Sequence, residues 1–393
     1  MFAAGVIKIL VCTATLAWGV NLPAHTVIIK GTQIYDAEAG GFNDLGMLDV
    51  MQIFGRAGRP QFDTSGEGII LTSHDKLQHY LQMLTQSLPI ESSFIKALPD
   101  HLNAEIVSGT VTNVREAVSW LAYTYLFVRM LRNPLVYGFT WADLESDPML
   151  RGKCVELVTS AAKRLDACHM VRFDPRSGNF AVTDLGRVAS HYYIYHTSIE
   201  TFNTVMDATP LLDDSKVLTL VCRADEFKNI RVREEEMVEL EMMRARAHIK
   251  VDGDMTSTLT KVNVLLQAYI SRVAPKGFTL VSDMAYITQS AGRISRALFE
   301  IFLRKGWCNM AERLLTVSKA IDKRLWWDAC PLWQVAGTLL TPEIVSKLEA
   351  SNVPFDEMAR MEASELGSLA RHPGMGGTIA SAIGVLPYLD IDA

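Results

Sequence analysis

The hydrophobic pattern of this chain changes near residue 90. Before that point, short apolar runs alternate with amphipathic stretches, which predicts strands at residues 6–12, 26–29 and 67–72 and helices at residues 45–54 and 75–86. After it, apolar residues recur mostly at helical spacing. Alternating strands and helices are typical of an open α/β sheet, so the predicted fold class is α/β followed by mainly α. The apolar face of the second helix comprises Leu77, Tyr80, Leu81 and Leu84.

Composition restricts the class of protein further. The 393 residues are 49% hydrophobic, which rules out a disordered chain and suits roughly two to four domains. A net charge of −6 confines any polyanion site to a local basic strip. The six cysteines form no CxxC pair, which favours reduced thiols in a cytosolic or nuclear protein and gives no zinc site.

Residues 1–20 are apolar enough to suggest a signal peptide or a membrane span. No basic segment precedes the apolar part, however, and Lys8 interrupts it. The run at residues 6–12 is short and rich in β-branched side chains. We therefore predict a buried parallel strand there.

Residues 52–60, with the sequence QIFGRAGRP, carry two arginines three positions apart. They follow a helix with an apolar stripe, and the glycines should end that helix. Bare backbone and two guanidinium groups can then hold the oxygens of an anion such as phosphate. Equally, the arginines can stand against the dipole of a helix C-terminus before a simple turn. The apolar stripe of the helix before the arginines comprises Leu45, Leu48, Met51, Ile53 and Phe54.

The loop at residues 13–23 leaves the first predicted strand at its carboxyl end, where open α/β sheets bind ligands. Thr13, Thr15, Gly19 and Asn21 offer hydroxyls, bare backbone and an amide for phosphate or ribose. The alternative is an ordinary turn stabilised by its own hydroxyl and amide groups.

Together, the sequences CTATLAWGVNLPA at residues 12–24 and QIFGRAGRP at residues 52–60 resemble motifs V and VI of superfamily-two DExH helicases of the superkiller-like branch. The resemblance covers nearly the whole chain. It is greatest with the large tandem-cassette members, through DVMQIF at residues 49–54 and NPLVYG at residues 133–138. It implies that residues 1–90 are the C-terminal part of the second of two RecA-like lobes, which bind ATP between them.

The resemblance assigns roles within both motifs. Gln52, Arg56 and Arg59 would face the γ-phosphate of ATP, with Arg59 as the arginine finger. Such a cation stabilises charge on the transferring phosphoryl group and accelerates related reactions by ~10³ to 10⁵. The implied nucleotide-binding residues are Gly19, Asn21 and Gly55, and the implied strand-binding residues of this lobe are Thr13 and Thr15.

The sequence contains no GxxxxGK[ST] loop and no DExH box. The resemblance implies that a first lobe carries both and holds the Mg²⁺ that accompanies ATP. We therefore expect the chain to be the C-terminal part of a helicase cassette that does not hydrolyse ATP alone. Turnover above background in a steady-state ATPase assay, with or without RNA, would contradict this expectation.

Residues 91–195 are predicted to form a winged-helix domain. Helices at residues 104–108, 114–132 and 153–167 precede two short strands around a Pro/Gly turn at residues 171–182 and a capped helix at residues 183–193. In the resembled family this domain braces the second lobe, although winged helices also bind DNA. The longest helix has Val114, Ala117, Val118, Leu121, Tyr125 and Val128 in apolar register. Tyr192, Tyr193 and Tyr195 are expected in the core rather than as a stacking platform.

Residues 196–325 are predicted to form a helical bundle containing a nucleic-acid site. On a helix at residues 284–305 one face is polar, and the opposite face carries Ile294, Leu298, Ile301 and Phe302. Eight Lys/Arg against three Asp/Glu between residues 284 and 327 make the region locally basic. By resemblance this is the ratchet helix, with Gln289, Arg293 and Arg296 contacting a single strand. The alternative is a solvated face with pairs such as Arg296–Glu300. The polar face comprises Gln289, Arg293, Arg296, Glu300 and Arg304.

Two further segments carry weaker signals. The acidic residues 234–236 are expected to be a solvated face. Within residues 326–393, the sequence PGMGG at residues 373–377 lies between helices at residues 366–370 and 378–383 and resembles a helix-hairpin-helix. Its glycines can expose backbone N–H groups to phosphate, or simply make a tight connection between helices.

Two functions remain from the sequence. The favoured one is part of an ATP-driven 3′-to-5′ RNA or DNA helicase, and the alternative is a non-catalytic scaffold cassette that binds partner proteins. The partners implied by the resemblance are single-stranded RNA or DNA, the missing lobe and a cointegrator-associated, ribosome-associated or spliceosomal complex, with no membrane. The expected location is the cytoplasm, the nucleus or both.

Overall fold

The computed structural model describes residue 2 and residues 6–12, 24–36, 41–58, 63–85, 89–208 and 213–387. Within these ranges the protein is mainly helical. Buried apolar side chains form three clusters. One lies before residue 90, the largest runs from Leu98 to Trp326, and the third runs from Cys330 to Ile383.

The part before residue 90 contains two strand pairs and two helices. In chain order these are β1 (Thr26–Lys30), β2 (Gln33–Asp36), β3 (Gly41–Asp44), α1 (Met47–Phe54), β4 (Glu67–Leu71) and α2 (His74–Leu84). β1 pairs in parallel with β4, and β2 forms an antiparallel hairpin with β3 that the apolar pattern did not predict. Their small core comprises Ile29, Leu45, Val50, Ile53 and Tyr80.

The strand predicted at residues 6–12 is wrong. These residues form no strand, and Val6, Ile9 and Val11 are exposed. An apolar run is buried as a central strand only when neighbours cover both of its faces. In the described residues β1 and β4 pair only with each other. Leu77, Leu81 and Leu84 of α2 are also exposed, and only Tyr80 of that predicted apolar face is buried.

The next region has helices followed by a hairpin and a capped helix, in the predicted order. Its elements are α3 (Phe94–Ser108), α4 (Val114–Leu121), α5 (Tyr125–Arg132), α6 (Trp141–Ser146), α7 (Arg151–Ala167), β5 (Val171–Asp174), β6 (Asn179–Val182) and α8 (Asp184–Tyr192). Thr183 caps α8 by accepting a hydrogen bond from Gly186 N at 3.0 Å, and its hydroxyl donates to Met170 O at 2.7 Å. This hydroxyl therefore ties the start of α8 to the base of the hairpin.

The single helix predicted at residues 114–132 is divided in the structure. The Thr124 hydroxyl donates to Leu121 O at 2.7 Å and accepts from Phe127 N at 3.4 Å, which ends α4 and begins α5. The break changes the buried face, because α5 buries Leu126, Phe127 and Met130. Tyr125 and Val128, which continued the predicted apolar register, are exposed.

Glu91 fixes the chain that enters this region. Its carboxylate accepts hydrogen bonds from Arg129 Nη2 at 2.8 Å, Asn133 Nδ2 at 2.8 Å and the Tyr137 hydroxyl at 2.7 Å. The hydrogen bond from Arg129 is the main cause that lowers the pKa of Glu91 to about 2, although partial burial opposes it.

Stability is therefore expected to depend on Glu91 in acid. A carboxyl with a lowered folded pKa stabilises the fold above its ordinary pKa of 4.5, and this contribution disappears as the pH falls towards 2. Urea unfolding measured between pH 7 and pH 2.5 should show a smaller loss of stability in Glu91→Gln than in the wild type. Parallel pH profiles for the two proteins would contradict this prediction.

The remaining elements form a bundle and a smaller C-terminal group. The bundle contains α9 (His196–Ala208), α10 (Asp214–Cys222), α11 (Met237–Arg244), α12 (Thr258–Ile270), α13 (Phe278–Arg304) and α14 (Cys308–Lys323). The C-terminal group contains α15 (Pro342–Ala350), α16 (Phe355–Met358), α17 (Ala363–Leu369) and α18 (Gly376–Val385). Short 3-10 helices lie at Pro134–Tyr137, Asp225–Phe227, Glu234–Glu236, Pro331–Val335 and Pro373–Met375. Among the described helices, none has the length and apolar character needed to cross a bilayer.

The sequence predicted that the acidic segment at residues 234–236 is a solvated face. The structure agrees for only two of the three residues. Glu234 and Glu235 are exposed, but Glu236 is buried against Lys261 of α12. Lys261 lies 25 residues away in sequence, so charge patterning within the segment could not reveal this contact.

Candidate functional site

Residues 55–58 form a turn directly after α1, called the arginine turn below. The helix ends at Phe54 with Gly55 as its C-cap, which agrees with the prediction that the glycines end it. Ala24 N donates to Arg56 O at 2.9 Å, and Gly58 N donates to Ala24 O at 2.7 Å. Ala24 is the residue that follows the loop at residues 13–23. The backbone at residues 56–58 therefore lies beside Ala24, the last residue of the first motif-like stretch, while residues 13–23 lie outside the described residues.

Two glycines make this arginine turn possible. Gly58 has φ +86°, a conformation that side-chain-bearing residues seldom adopt. A Cβ on Gly66 would lie 2.5 Å from Gly58 N and 2.8 Å from Ala57 O. Gly66 was not singled out from the sequence. Its only signal is that it stands immediately before β4, where the chain passes closest to the turn.

The side chains of the arginine turn differ in exposure. Gln52 is exposed at the last turn of α1, and Arg56 is half-buried. Leu48 and Met51 are exposed, whereas the predicted apolar stripe placed them in the core, and Val50 is buried instead. Among the residues predicted for the nucleotide and strand sites, Thr13, Thr15, Gly19, Asn21 and Arg59 lie outside the described residues.

The chemistry of the arginine turn suits an anion. Gln52 contributes an exposed amide and Arg56 supplies a guanidinium group. The N–H of Gly55 donates to Met51 O at 2.8 Å, so the side chains rather than this N–H are what the turn offers to an anion. In the described part of the chain, no three His, Cys, Asp or Glu side chains are grouped so that they could hold a metal ion. A guanidinium group beside an exposed amide can hold the oxygens of a phosphate.

The long helix α13 has the apolar face that was predicted. Ile294, Leu298, Ile301 and Phe302 are all buried, and α13 packs along α14 and against α8. On the polar face Gln289 is exposed.

The arginines of this polar face are engaged within the fold. Arg293 Nη1 donates to Tyr192 O at 3.1 Å and to Tyr193 O. Arg296 pairs with Asp322 of α14 rather than with Glu300. Arg304 pairs with Glu300 at 2.7 Å and with Asp184 of α8 at 3.2 Å. The polar face is thus not a row of solvated cations. Sequence reasoning missed most of these contacts because Tyr192, Tyr193, Asp322 and Asp184 lie outside α13.

These contacts differ in how readily a ligand could replace them. Arg296 is 54% exposed and Asp322 is 34% exposed, and exposed pairs contribute only about 0–1 kcal/mol. A phosphate could therefore take the place of Asp322. Arg293 is half-buried and holds backbone carbonyls, so its contacts belong to the packing of α13 against the end of α8.

The sequence predicted that Tyr192, Tyr193 and Tyr195 lie in the core. This prediction is wrong for two of the three. Tyr193 is 80% exposed and Tyr195 is 42% exposed, while Tyr192 is half-buried. The cause is local. α8 ends at Tyr193 in a left-handed conformation with φ 54°, which buries Ile194 and leaves the flanking tyrosines at the surface.

Comparison with protein-family models identifies two matching parts of the chain. Residues 182–393 match the Sec63 Brl domain, and residues 91–167 match a winged helix-turn-helix domain. The first match covers more than half of the chain.

Similar curated proteins align with the whole chain. It is 53% identical to the DExH-box ATP-dependent RNA helicase DExH14 of Arabidopsis thaliana, over 394 residues. It is 52% identical to activating signal cointegrator 1 complex subunit 3 of Homo sapiens and 49% identical to the human U5 small nuclear ribonucleoprotein 200 kDa helicase. The chain spans 18% of the length of each of these relatives. The resemblance to DExH helicases predicted from the motifs is confirmed, and the chain belongs to the Sec63 Brl domain family.

Proposed function

We propose that the chain contributes the second-lobe arginines and the single-strand channel of an ATP-dependent RNA helicase. The observation that supports this most directly is the hydrogen bonding of Ala24 to the backbone of Arg56 and Gly58. It brings the end of one helicase-like motif to the centre of the other. Part of a RecA-like second lobe accounts for this arrangement, since ATP hydrolysis in such enzymes depends on residues of both motifs.

In this proposal the arginine turn acts on the phosphates of ATP. Gln52, Arg56 and Arg59 face the γ-phosphate, with Arg59 as the arginine finger, and Gly19, Asn21 and Gly55 lie beside the nucleotide. Positioned cations stabilise the charge that develops during phosphoryl transfer. The Mg²⁺ ion is held by a first lobe that carries the Walker loop and the DExH box, neither of which occurs in these 393 residues.

The bundle guides a single strand in the same proposal. Thr13 and Thr15 contact strand phosphates in the lobe, and Gln289, Arg293 and Arg296 form the contacts on α13. RNA is the favoured strand because a relative similar over the whole chain is named as an RNA helicase. The winged-helix domain braces the lobe, and the glycine-rich connection between α17 and α18 is a helix-hairpin-helix.

Neutralising Arg296 is expected to weaken single-strand binding. If Arg296 exchanges Asp322 for a phosphate, then Arg296→Gln removes one ionic contact, and the slope of log K against log salt should fall by about 0.7. The measurement is fluorescence anisotropy of a labelled oligouridylate with the 393-residue chain at several salt concentrations.

Arg313→Gln is the matched control for this experiment. Arg313 lies on α14, is similarly exposed and also pairs with an aspartate, Asp214. The control should retain both the affinity and the salt slope of the wild type. Equal losses in the two variants, or no loss in Arg296→Gln, would remove Arg296 from the site.

A second candidate is a non-catalytic scaffold that binds partner proteins. The internal contacts of Arg293, Arg296 and Arg304 favour it, because these cations already have partners within the fold. The binding experiment separates the two functions. A scaffold should not bind oligouridylate in a salt-dependent way even at low salt.

We also propose that the protein works in a multi-subunit complex in the nucleus, the cytoplasm or both. The support is that two similar relatives are named as parts of such assemblies, the activating signal cointegrator 1 complex and the U5 small nuclear ribonucleoprotein. Co-purification of the endogenous protein with several stoichiometric subunits would test this.

A further inference from the structure

The turn after α8 presents two tyrosines at the surface. Tyr193 and Tyr195 are exposed, and Ile194 between them is buried at 3% exposure. Tyr193 adopts φ 54°, where Gly or Asn is more usual, because a larger side chain is strained there. A strained backbone that exposes a large aromatic ring requires surrounding contacts that hold it in place.

Three sets of contacts hold residues 193–195, called the tyrosine turn below. Ile194 N donates to Ala189 O at 2.9 Å, which closes the end of α8. Tyr195 N donates to the buried carboxylate of Glu226 at 3.1 Å. Arg293 of α13 donates to the carbonyls of Tyr192 and Tyr193. The turn is therefore fixed to α8, to the 3-10 helix at Asp225–Phe227 and to α13.

The contact with Arg293 places the tyrosine turn beside the polar face of α13. Gln289, one helical turn before Arg293, is exposed on that face. The surface thus combines an exposed amide, a nearby guanidinium group and a prepositioned aromatic ring. Proteins that bind single strands without sequence preference use this combination, because every base can stack on an aromatic side chain.

We infer that Tyr193 is a base-stacking residue for a single-stranded nucleic acid lying along α13. Arg293, which the proposed function places among the strand contacts, acts in this inference as a positioning residue that holds Tyr193 and does not itself meet a phosphate. This inference rests on the proposed strand binding and extends it from phosphate contacts to the bases. A strand crossing this surface places a base against the Tyr193 ring, while Arg296 meets its phosphates.

Removing the ring tests the inference. Tyr193→Ala should weaken binding of an oligouridylate by about fivefold to 100-fold, and Tyr193→Phe should retain most of the affinity. An RNA strand with a single 2-aminopurine, moved along successive positions, should show quenching at one position in the wild type and in Tyr193→Phe but not in Tyr193→Ala. An abasic strand should bind the wild type and Tyr193→Ala equally.

Tyr123→Ala is the matched control, because Tyr123 is 92% exposed but lies between α4 and α5. Its affinity and quenching should equal those of the wild type. If the wild type binds RNA and Tyr193→Ala binds it equally well, the stacking role is overturned while the proposed function stands. That outcome would leave the tyrosines as a surface for a protein partner. If the wild type does not bind RNA, the proposed strand channel fails as well.

The role of Arg293 has its own readout. A positioning residue acts through Tyr193, so Arg293→Ala should lose quenching while keeping the salt slope of the wild type. Combining it with Tyr193→Ala should weaken binding little beyond Tyr193→Ala alone. A direct phosphate contact would instead lower the salt slope by about 0.7 and add fully to the loss of the ring. Either of those results would overturn the positioning role.

Discussion

Replacing Lys261 with methionine is expected to destabilise the bundle by about 3–5 kcal/mol, since it leaves buried carboxylates without their main cation. Lys261 is fully buried in α12. Its Nζ lies 2.6 Å from Glu236 and 2.7 Å from Asp283 of α13, and it donates to Arg231 O at 2.8 Å. Urea unfolding followed by circular dichroism would measure the loss.

The surroundings of Glu236 explain the size of this effect. Burial alone would raise the pKa of Glu236, but hydrogen bonds from Lys261 and from the Thr279 hydroxyl, at 2.6 Å and 2.5 Å, lower it overall. Arg233 adds a second cation at 2.7 Å. Glu236 is therefore held as a carboxylate inside the fold. Removing Lys261 leaves Arg233 to balance both Glu236 and Asp283.

Two further variants separate the buried charge from the loss of a lysine. Lys250→Met changes an exposed lysine paired with Asp252, and its stability should stay within about 0.5 kcal/mol of the wild type. Lys261→Met/Asp283→Leu removes one charge of each sign and should recover part of the loss. A Lys261→Met protein as stable as Lys250→Met would contradict the argument.

The buried charges of Glu236, Lys261 and Asp283 also show what the sequence could not predict. Periodicity correctly predicted the buried face of α13, and the turn and cap signals correctly predicted the β5–β6 hairpin and the start of α8. All of these depend on residues close together in sequence. The burial of Glu236 depends on Lys261 and Asp283, which lie on other elements, so its local charge pattern indicated solvent.

The distinction between contacts close in sequence and contacts between distant elements also applies to the candidate site. The glycines that end α1 were predicted because a helix end is a local event. Gly66, which gives the arginine turn its space, was missed because its closest contacts are to Ala57 and Gly58, across a loop. The engagement of Arg293 with the end of α8 spans 100 residues. Cationic side chains at helical spacing indicate a polar face but do not show which of them already have partners.

α18 begins with two adjacent glycines, Gly376 and Gly377, that have opposite surroundings. A Cβ on Gly376 would lie 1.8 Å from Ala363 O, whereas a Cβ on Gly377 would have no atom within 4 Å. Gly367 is also confined, since its Cβ would lie 2.8 Å from Pro373 O. Gly367 and Gly376 therefore allow the close approach of α17, α18 and the segment between them.

Gly376→Ala is expected to destabilise the C-terminal cluster by about 1–3 kcal/mol, because the added methyl group must displace the backbone at Ala363. Gly377→Ala should be neutral or stabilising by up to about 1 kcal/mol, since it replaces glycine within a helix in open space. Hydrogen exchange of the amides of α17 and α18 would measure both changes within the cluster. Equal protection in the two variants would contradict the steric argument.

The same pair of variants separates the two interpretations of the glycine-rich connection between α17 and α18. A tight connection needs only Gly367 and Gly376, so a folded Gly377→Ala protein should bind single-stranded nucleic acid like the wild type. A helix-hairpin-helix would hold phosphate on backbone N–H groups of exposed residues such as Gly374 and Gly377, and a methyl group on residue 377 would obstruct that approach. Weaker binding by Gly377→Ala, with unchanged stability, would therefore favour phosphate binding by this connection. Because a Cβ on Gly377 would meet no atom within 4 Å, such a loss could not be attributed to a steric clash within the fold.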